Sequence, residues 1–183
     1  VYKELGEMLF THFGVSGPLV LSASAYVKKS DYRLEIDLKP ALDGKKLDAR
    51  LLRDFGEQHA KQISTVMRGL LPQAMVEPVL DKAGAAFDTK ISEITKVQRA
   101  AIVNALKHFD LTVTGLRPIE EAIITDGGVS LKEINPKTMQ SKLVDGLYFA
   151  GEIIDCAAYT GGYNLQIAFS TAHSAALSVA TRH

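Results

Sequence analysis

The feature that most restricts the fold of this sequence is a double glycine followed by a long apolar stretch near the C-terminus. After Gly161 and Gly162, leucine, phenylalanine and alanine recur at helical spacing up to residue 180, which predicts an amphipathic helix. Residues 146–151 form an apolar run bounded by glycines, which predicts a short buried strand. The order strand, loop, double glycine, helix predicts an α/β arrangement in which a mostly alanine stripe lets the helix approach a sheet closely.

The same stretch has two properties of a ligand site. Gly151 and Glu152 follow the predicted strand, and a glycine there leaves room for a ligand beside the backbone. The helix that opens at 161–164 presents unpaired N–H groups and a positive dipole end, which suit an anionic or electron-rich group. The spacing alone leaves open a simpler interpretation, a glycine-rich turn that only begins a helix.

The rest of the chain divides into strands and helices. The alternation in 32–38 predicts a half-buried strand, and Pro18 suits the first position of a helix over 19–27. Helical spacing between 47 and 109, with Pro72 and Thr95 at helix starts, predicts a bundle of three to five helices. Further short strands are predicted at 8–12, 111–114, 122–125 and 129–134, and Asp126-Gly127-Gly128 is predicted to be a turn with positive φ.

Charge and composition exclude some classes of function. Lysine plus arginine total 21 and aspartate plus glutamate total 21, so the formal net charge is zero. That balance argues against a nucleic-acid partner and against a basic membrane-binding surface. No run of about 20 apolar residues predicts a membrane span, and no signal peptide is evident. The single cysteine, Cys156, excludes an internal disulfide and favours a reducing, cytoplasmic location.

Single residues are weaker candidates. His12 is a possible acid or base, although a histidine bonded locally for structure is the more common case. The five histidines are scattered, so we expect no metal site. A packed thiol is favoured over a redox centre at Cys156, and Asp155 could bond a cofactor or brace the loop. Tyr159 and Tyr163 are cofactor-loop candidates or packing residues.

Five segments together resemble a known family. Gly-Leu-Tyr-Phe-Ala-Gly-Glu at 146–152 and Thr-Gly-Gly-Tyr-Asn-Leu-Gln at 160–166 resemble the C-terminal FAD signature of the HI0933-like (YhiN/BaiN-type) FAD-dependent flavoproteins. The segment 6–18 is similar to that family's middle-domain motif. The segments 120–129 and 135–143 are similar to its re-entry into the FAD domain. The resemblance covers essentially the whole chain, as the middle and C-terminal portions of a family member.

The resemblance implies an FAD-dependent oxidoreductase with an α/β (α+β) fold of the two-dinucleotide type. It implies that Gly151 and Glu152 lie along the ribityl and pyrophosphate of FAD. It also implies that Gly161, Gly162 and the helix start at Tyr163, Asn164 and Leu165 belong to the cofactor site, with the helix start facing the pyrimidine edge of the flavin. The segment 125–128 would lie near the flavin. The resemblance also implies a small-molecule substrate as a partner, with either NAD(P)H or oxygen as the redox partner.

The N-terminal Rossmann half that such a fold requires is not recognisable. No two glycines are separated by one residue, so the Gly-x-Gly-x-x-Gly turn is absent, and the chain begins at Val1 rather than methionine. We therefore expect part of a longer flavoprotein, inactive alone. The predicted regions are a substrate-side β/α element (1–40), an inserted helical subdomain (41–110), return strands (111–124) and the C-terminal part of the FAD domain (125–183).

Two alternatives of other classes stay open. The chain could be a cofactor-free, inactive folded fragment that serves as a protein-interaction module. The helices between 47 and 109 could also form an adaptor that binds a protein partner.

Overall fold

A computed structural model describes residues 2–27, 32–124 and 126–181. The chain divides into two compact units, one made of 1–30 with 115–183 and the other of 31–114. The described ranges contain small antiparallel sheets and six α-helices, so the coarse α+β prediction is confirmed. The strands are β1 (Leu9–Thr11), β2 (Gly14–Ser16), β3 (Tyr32–Ile36) and β4 (Phe109–Val113). The helices are α1 (Pro18–Ser24), α2 (Gly44–Glu57), α3 (Ile63–Met67), α4 (Gln73–Lys82), α5 (Lys96–Lys107) and α6 (Tyr163–Ala180).

The unit 31–114 contains the larger hydrophobic core. Helices α2 to α5 surround it, as the apolar spacing predicted, and β3 pairs with β4 in antiparallel register from Tyr32↔Val113 to Ile36↔Phe109. Burial of these apolar side chains stabilises the unit, since each contributes roughly 1.5–3 kcal/mol. The fully buried side chains of this core are Leu47, Leu51, Ile63, Met67, Val76, Val79, Leu80, Ile102 and Leu106.

Side-chain hydrogen bonds stabilise the ends of these helices. Asp43 caps α2 by accepting a hydrogen bond from the N–H of Lys46 (2.8 Å). Thr95 caps α5, as predicted, and the structure adds a reciprocal capping box with Gln98. At the other end of α5, the Nζ of Lys107 donates to a carboxylate of Asp37 and to two backbone carbonyls of the loop before α2. The structure groups β3 and β4 with these helices in the unit 31–114, and the predicted division of the chain at 40 and 110 stays a prediction.

The unit formed by 1–30 and 115–183 has a smaller core. Strands β1 and β2 form a hairpin in register Phe10↔Val15, and α1 follows at Pro18, as predicted. The helix α1 ends at Ser24, three residues before its predicted end. The C-terminal part packs around Ile134, Met139 and Ile154 with Val129, Phe149 and Ala175 against them.

Three predicted strands in this unit are wrong in the described residues. Residues 122–124 form no strand, and the prediction for Thr125 lies outside the described residues. Within 129–134 the chain makes a 3₁₀ turn, Leu131–Glu133, between single bridges. Residues 146–151 are half-buried or exposed and make one isolated bridge, Gln140↔Tyr148. The physical reason is that an apolar segment becomes a strand only when a neighbouring strand pairs with its backbone.

The last helix begins where it was predicted but exposes much of its apolar surface. The face that packs inward is small, with Ile167, Thr171 and Ala175 half-buried. Leu165 is 61% exposed, Phe169 69% and Leu177 54%, and no residue between 163 and 180 is buried. Among the described helices, none is both long enough and apolar enough to cross a membrane.

Candidate functional site

The turn at Gly127-Gly128 and the segment that follows Gly151 lie directly against each other. The N–H of Val129 donates to the carbonyl of Ile153 (2.8 Å), and the N–H of Asp155 donates to the carbonyl of Val129 (3.0 Å). Gly128 has a φ of 137°, and a Cβ built there would lie 2.3 Å from the carbonyl oxygen of Ile153. Only glycine fits this close approach. The segment 120–129 is therefore joined by backbone hydrogen bonds to the residues that directly follow the segment 146–152.

Gly151 leaves open space at the start of the 3₁₀ turn Gly151–Ile153. Its φ is 77°, and a Cβ built there would meet no atom within 4 Å. Its N–H donates to the Oγ1 of Thr171 on α6 (3.0 Å), and Glu152 beside it is exposed. The backbone at Gly151 is thus fixed by the side chain of Thr171 and leaves open space where a Cβ would lie. A closely bound ligand needs this geometry.

The N-terminus of α6 carries no side-chain cap. Gly162 is in the left-handed conformation with a φ of 92°, and its carbonyl accepts the first helical hydrogen bond from the N–H of Gln166 (3.0 Å). No side chain in the described ranges caps this end. The N–H groups of the first helical turn are therefore available to an acceptor, and the helix dipole favours negative charge there. Tyr163 is 63% exposed beside them.

The loop before α6 is held in shape by the side chain of Asn164. Its Oδ1 accepts from the N–H of Ala158 and its Nδ2 donates to the carbonyl of Ala158, both at 2.8 Å. The side-chain amide of Asn164 is thus engaged with the loop. What Asn164 can offer to a ligand in this geometry is its backbone N–H in the first turn of α6.

Helix α1 lies along the same loop. The hydroxyl of Thr160 lies 3.5 Å from both the Oγ of Ser22 and the carbonyl of Pro18. The hydroxyls of Tyr26 and Tyr159 are 2.9 Å apart. The segment after the hairpin and the loop before α6, far apart in sequence, are therefore in contact within one compact unit.

A third tyrosine extends this contact. The ring of Tyr2 stacks on Tyr26 with centroids 5.0 Å apart and planes at 30°, and its hydroxyl donates to Glu4. That hydrogen bond to a carboxylate raises the pKa of Tyr2 to about 12. The hydrogen bond with Tyr26 also raises the pKa of Tyr159.

An apolar cleft of about 240 Å³ lies beside α6. Its lining includes Ile134, Met139, Ile167 and Cys156. Cys156 is exposed, so the preference for a packed thiol is wrong. The preference failed because an apolar neighbourhood in sequence does not establish that other chain segments cover the side chain.

His12 lies at the exposed turn of the β1–β2 hairpin. Its ring meets Phe13 edge-on at 5.1 Å, and the guanidinium of Arg117 lies 4.7 Å from the centre of the Phe13 ring. Thr11 donates from its hydroxyl to the carbonyl of Gly14, which closes the turn. The assignment of His12 as an acid or base stays a prediction. Within the described ranges, no three histidine, cysteine or acidic side chains are arranged to hold a metal ion.

Sequence reasoning missed the residues whose side chains hold the loop and Gly151 in place. Thr171, Ser22 and Tyr26 bond to Gly151, Thr160 and Tyr159 across more than 15 positions in sequence. Thr171 carried no distinctive signal, since Ser174 and Ser178 are polar residues on the same half-buried face of α6. Ser22 and Tyr26 carried none either, because the neighbours of such a serine or tyrosine depend on the tertiary fold.

Comparison with known proteins places this chain in a family. The sequence model of the "HI0933-like protein barrel and H2TH domain" family matches residues 1–124. The chain belongs to the HI0933-like family, as the motifs indicated.

Relatives of known function extend the similarity beyond residue 124. The chain is 36% identical over 173 residues to a ribosomal RNA dihydrouridine synthase of Haemophilus influenzae, covering 94% of this chain and 42% of that protein. It is 31% identical over 176 residues to a protein of the same name in Escherichia coli, covering 96% and 42%. It is 26% identical over 185 residues to a 3-dehydro-bile acid delta(4,6)-reductase of Clostridium scindens, covering 98% and 45%. The chain thus spans less than half the length of these relatives.

Proposed function

We propose that this chain supplies the substrate-side region and the flavin-facing C-terminal part of an FAD-dependent reductase. The observation that carries the proposal is the pairing of an open glycine backbone at Gly151 with an uncapped helix N-terminus at Gly162. Both are held in one unit by the contact of Gly128 with Ile153 and by the clamp of Asn164 on Ala158.

These residues fit a flavin. The backbone beside Gly151 and Glu152 would lie along the ribityl and pyrophosphate, where a side chain would obstruct the cofactor. The N–H groups of Tyr163, Asn164 and Leu165 would face the pyrimidine edge of the ring and stabilise negative charge there. When bound, FAD would supply the two electrons of the reduction. The backbone of Val129 bonds to Ile153 and Asp155, which fixes the segment that follows Gly151.

The reaction we propose is reduction of a carbon–carbon double bond conjugated to a carbonyl group. Dihydrouridine differs from uridine by two hydrogens across such a bond, and the name of the bile acid reductase describes double bonds conjugated to a 3-oxo group. The two relatives named for ribosomal RNA are more similar to this chain than the bile acid reductase, so we propose an unpaired uridine of RNA as the substrate. The zero net charge argued against a nucleic-acid partner, and that prediction has not been tested.

The experiment is complementation with the part of the Haemophilus influenzae relative that this chain does not match. We expect FAD to bind weakly or not at all to the chain alone, and to give a stable, shifted visible spectrum in the complemented protein. Gly151→Ala should weaken that binding, because its Cβ would enter the space left for the cofactor. Gly84→Ala is the matched control, since Gly84 also has a positive φ with no atom near its Cβ position. Equal FAD affinity in the two variants would contradict the proposed site.

A second function is favoured by one observation. The apolar stripe of α6, which includes Leu165, Phe169 and Leu177, is exposed in the described structure. A cofactor-free interaction module would use that stripe to bind a protein partner. In the flavoprotein interpretation, the nucleotide-binding half of the FAD domain covers the same stripe. If the complemented protein folds and never takes up FAD, the interaction module is the better interpretation.

A further inference from the structure

Three tyrosines form an exposed, ordered cluster at the edge of the loop that precedes α6. Tyr159 lies two residues before Gly161 and is 51% exposed, and Tyr26 is 40% exposed. The hydroxyl of Tyr26 lies 2.9 Å from that of Tyr159, and the ring of Tyr2 stacks on Tyr26 at 5.0 Å. The three residues come from three separate parts of the sequence, so the tertiary fold creates the cluster.

The residues before and after Tyr159 in the chain are both held in place. Before it, the N–H and carbonyl of Ala158 are clamped by the amide of Asn164 at 2.8 Å. After it, Thr160 lies 3.5 Å from hydrogen-bonding atoms of Ser22 and of Pro18. The hydroxyl is oriented by Tyr26, while half of the side-chain surface stays in contact with solvent. A ring held in this way loses little freedom when a flat molecule stacks on it.

We propose that Tyr159, positioned by Tyr26 and Tyr2, is a stacking surface for an unpaired nucleobase of an RNA substrate. This inference rests on the proposed function, in which the target base is a uridine brought to the loop before α6. An enzyme that reacts with a base must take it out of the helical stack, and proteins bind such splayed single strands by stacking bases on aromatic rings.

The charge of the chain gives an independent reason to expect stacking. Proteins that hold nucleic acid mainly through phosphates need a basic excess, and their affinity falls steeply as salt increases. This chain has 21 basic and 21 acidic residues, so it has no overall basic excess for phosphate contacts. Stacking of a base on an aromatic ring needs no net charge and is tolerant of sequence, so it suits this chain.

The test uses the full chain and a single-stranded oligouridylate. The chain has no tryptophan, so binding can be followed by quenching of tyrosine fluorescence. Replacing one stacking aromatic with alanine should weaken binding about tenfold. We expect that loss for Tyr159→Ala and a much smaller loss for Tyr159→Phe, which keeps the ring and removes the hydroxyl. Phe87→Ala is the matched control, because Phe87 is also an exposed aromatic residue (40%) and lies in the other compact unit.

Several outcomes would overturn the proposal. They are no binding of the oligouridylate, equal affinities for Tyr159→Ala and Phe87→Ala, and a steep salt dependence that Tyr159→Ala leaves unchanged. Far-ultraviolet circular dichroism of each variant separates loss of binding from loss of folding. FAD uptake by the complemented protein is read independently, so a failure of the stacking surface leaves the flavin site standing, and a failure of FAD uptake identifies an error in the proposed function.

Discussion

The close approach at Gly128 gives the sharpest test of how the candidate site is assembled. Replacing Gly128 with alanine would place a Cβ 2.3 Å from the carbonyl oxygen of Ile153. A contact this short cannot persist, so one of the two backbone segments must move. The carbonyl of Ile153 is the acceptor for the N–H of Val129, and the N–H of Asp155 bonds to the carbonyl of Val129. Movement therefore breaks or lengthens both hydrogen bonds.

The size of the effect follows from a comparison with the neighbouring glycine. Gly127 also has a positive φ, 102°, but a Cβ there would meet nothing within 4 Å. Gly127→Ala and Gly128→Ala therefore share the cost of placing a non-glycine residue in this region, about 1–3 kcal/mol. Only Gly128→Ala adds the loss of two backbone hydrogen bonds at about 1 kcal/mol each. Gly128→Ala should therefore destabilise the contact between the two segments by about 2 kcal/mol more than Gly127→Ala does. This difference corresponds to roughly 30-fold more frequent opening of the two hydrogen bonds.

Amide hydrogen exchange measures this difference at the bonds themselves. In Gly128→Ala, the N–H groups of Val129 and Asp155 should exchange about 30-fold faster than in Gly127→Ala. Amides of the unit 31–114, such as that of Leu111 in β4, should be unchanged in both variants. Equal exchange rates at 129 and 155 in the two variants would refute the argument that a steric contact at Gly128 holds the two segments together.

Asn164→Ala should destabilise the loop before α6 by about 2 kcal/mol, because it removes both hydrogen bonds to Ala158, and faster exchange of the Ala158 amide would report it. Lys107→Met should lower the free energy of unfolding, measured by urea denaturation, by about 2–4 kcal/mol, because two backbone carbonyls lose their donor. Lys90 is exposed, and the control Lys90→Met should change that free energy by less than about 0.5 kcal/mol. The pKa of Tyr2 is raised from 10.0 to about 12, so its contribution to stability is present below pH 10.0 and is lost as pH rises to about 12. Tyr2→Phe should remove the step at the highest pH in a titration that follows tyrosinate absorbance.

Local sequence signals predicted the parts of the fold that local interactions determine. The cap at Thr95 and the proline at the start of α1 depend on neighbours within four residues, and both were predicted correctly. The bundle followed from helical spacing because each helix buries one continuous apolar face, as Leu47 and Leu51 do on α2. The positive φ at Gly127 and Gly128 followed from the turn pattern.

The supports of the candidate site could not be predicted in this way. The glycine pair and the helix start were recognisable, because they are consecutive in sequence. The partners of the loop, such as Thr171 and Tyr26, lie 20 and 133 positions from the residues that they contact. No periodicity connects such positions, so only the tertiary structure reveals that α1 and α6 hold the loop together.

The wrong strand at 146–151 leads to a last prediction, which concerns the edge of that segment. In the described structure, one edge already bonds to a neighbour: the N–H of Phe149 donates to the carbonyl of Met139 (3.0 Å), and the carbonyl of Leu147 accepts from the N–H of Ser141 (2.7 Å). In an extended segment, alternate residues direct their backbone groups to opposite edges. The N–H groups of residues 148 and 150 therefore point to the other edge.

Complementation with the nucleotide-binding half should place a strand at that other edge, if the proposed flavoprotein fold is correct. The amides of Tyr148 and Ala150 should then exchange far more slowly, while that of Phe149, which already has a backbone acceptor, should change little. This alternation distinguishes strand pairing from general protection by a bound partner, which would slow all three amides together. If FAD binds and the amides of Tyr148 and Ala150 keep their rates, residues 146–150 are not a strand of the FAD domain, and the apolar run was selected for packing instead.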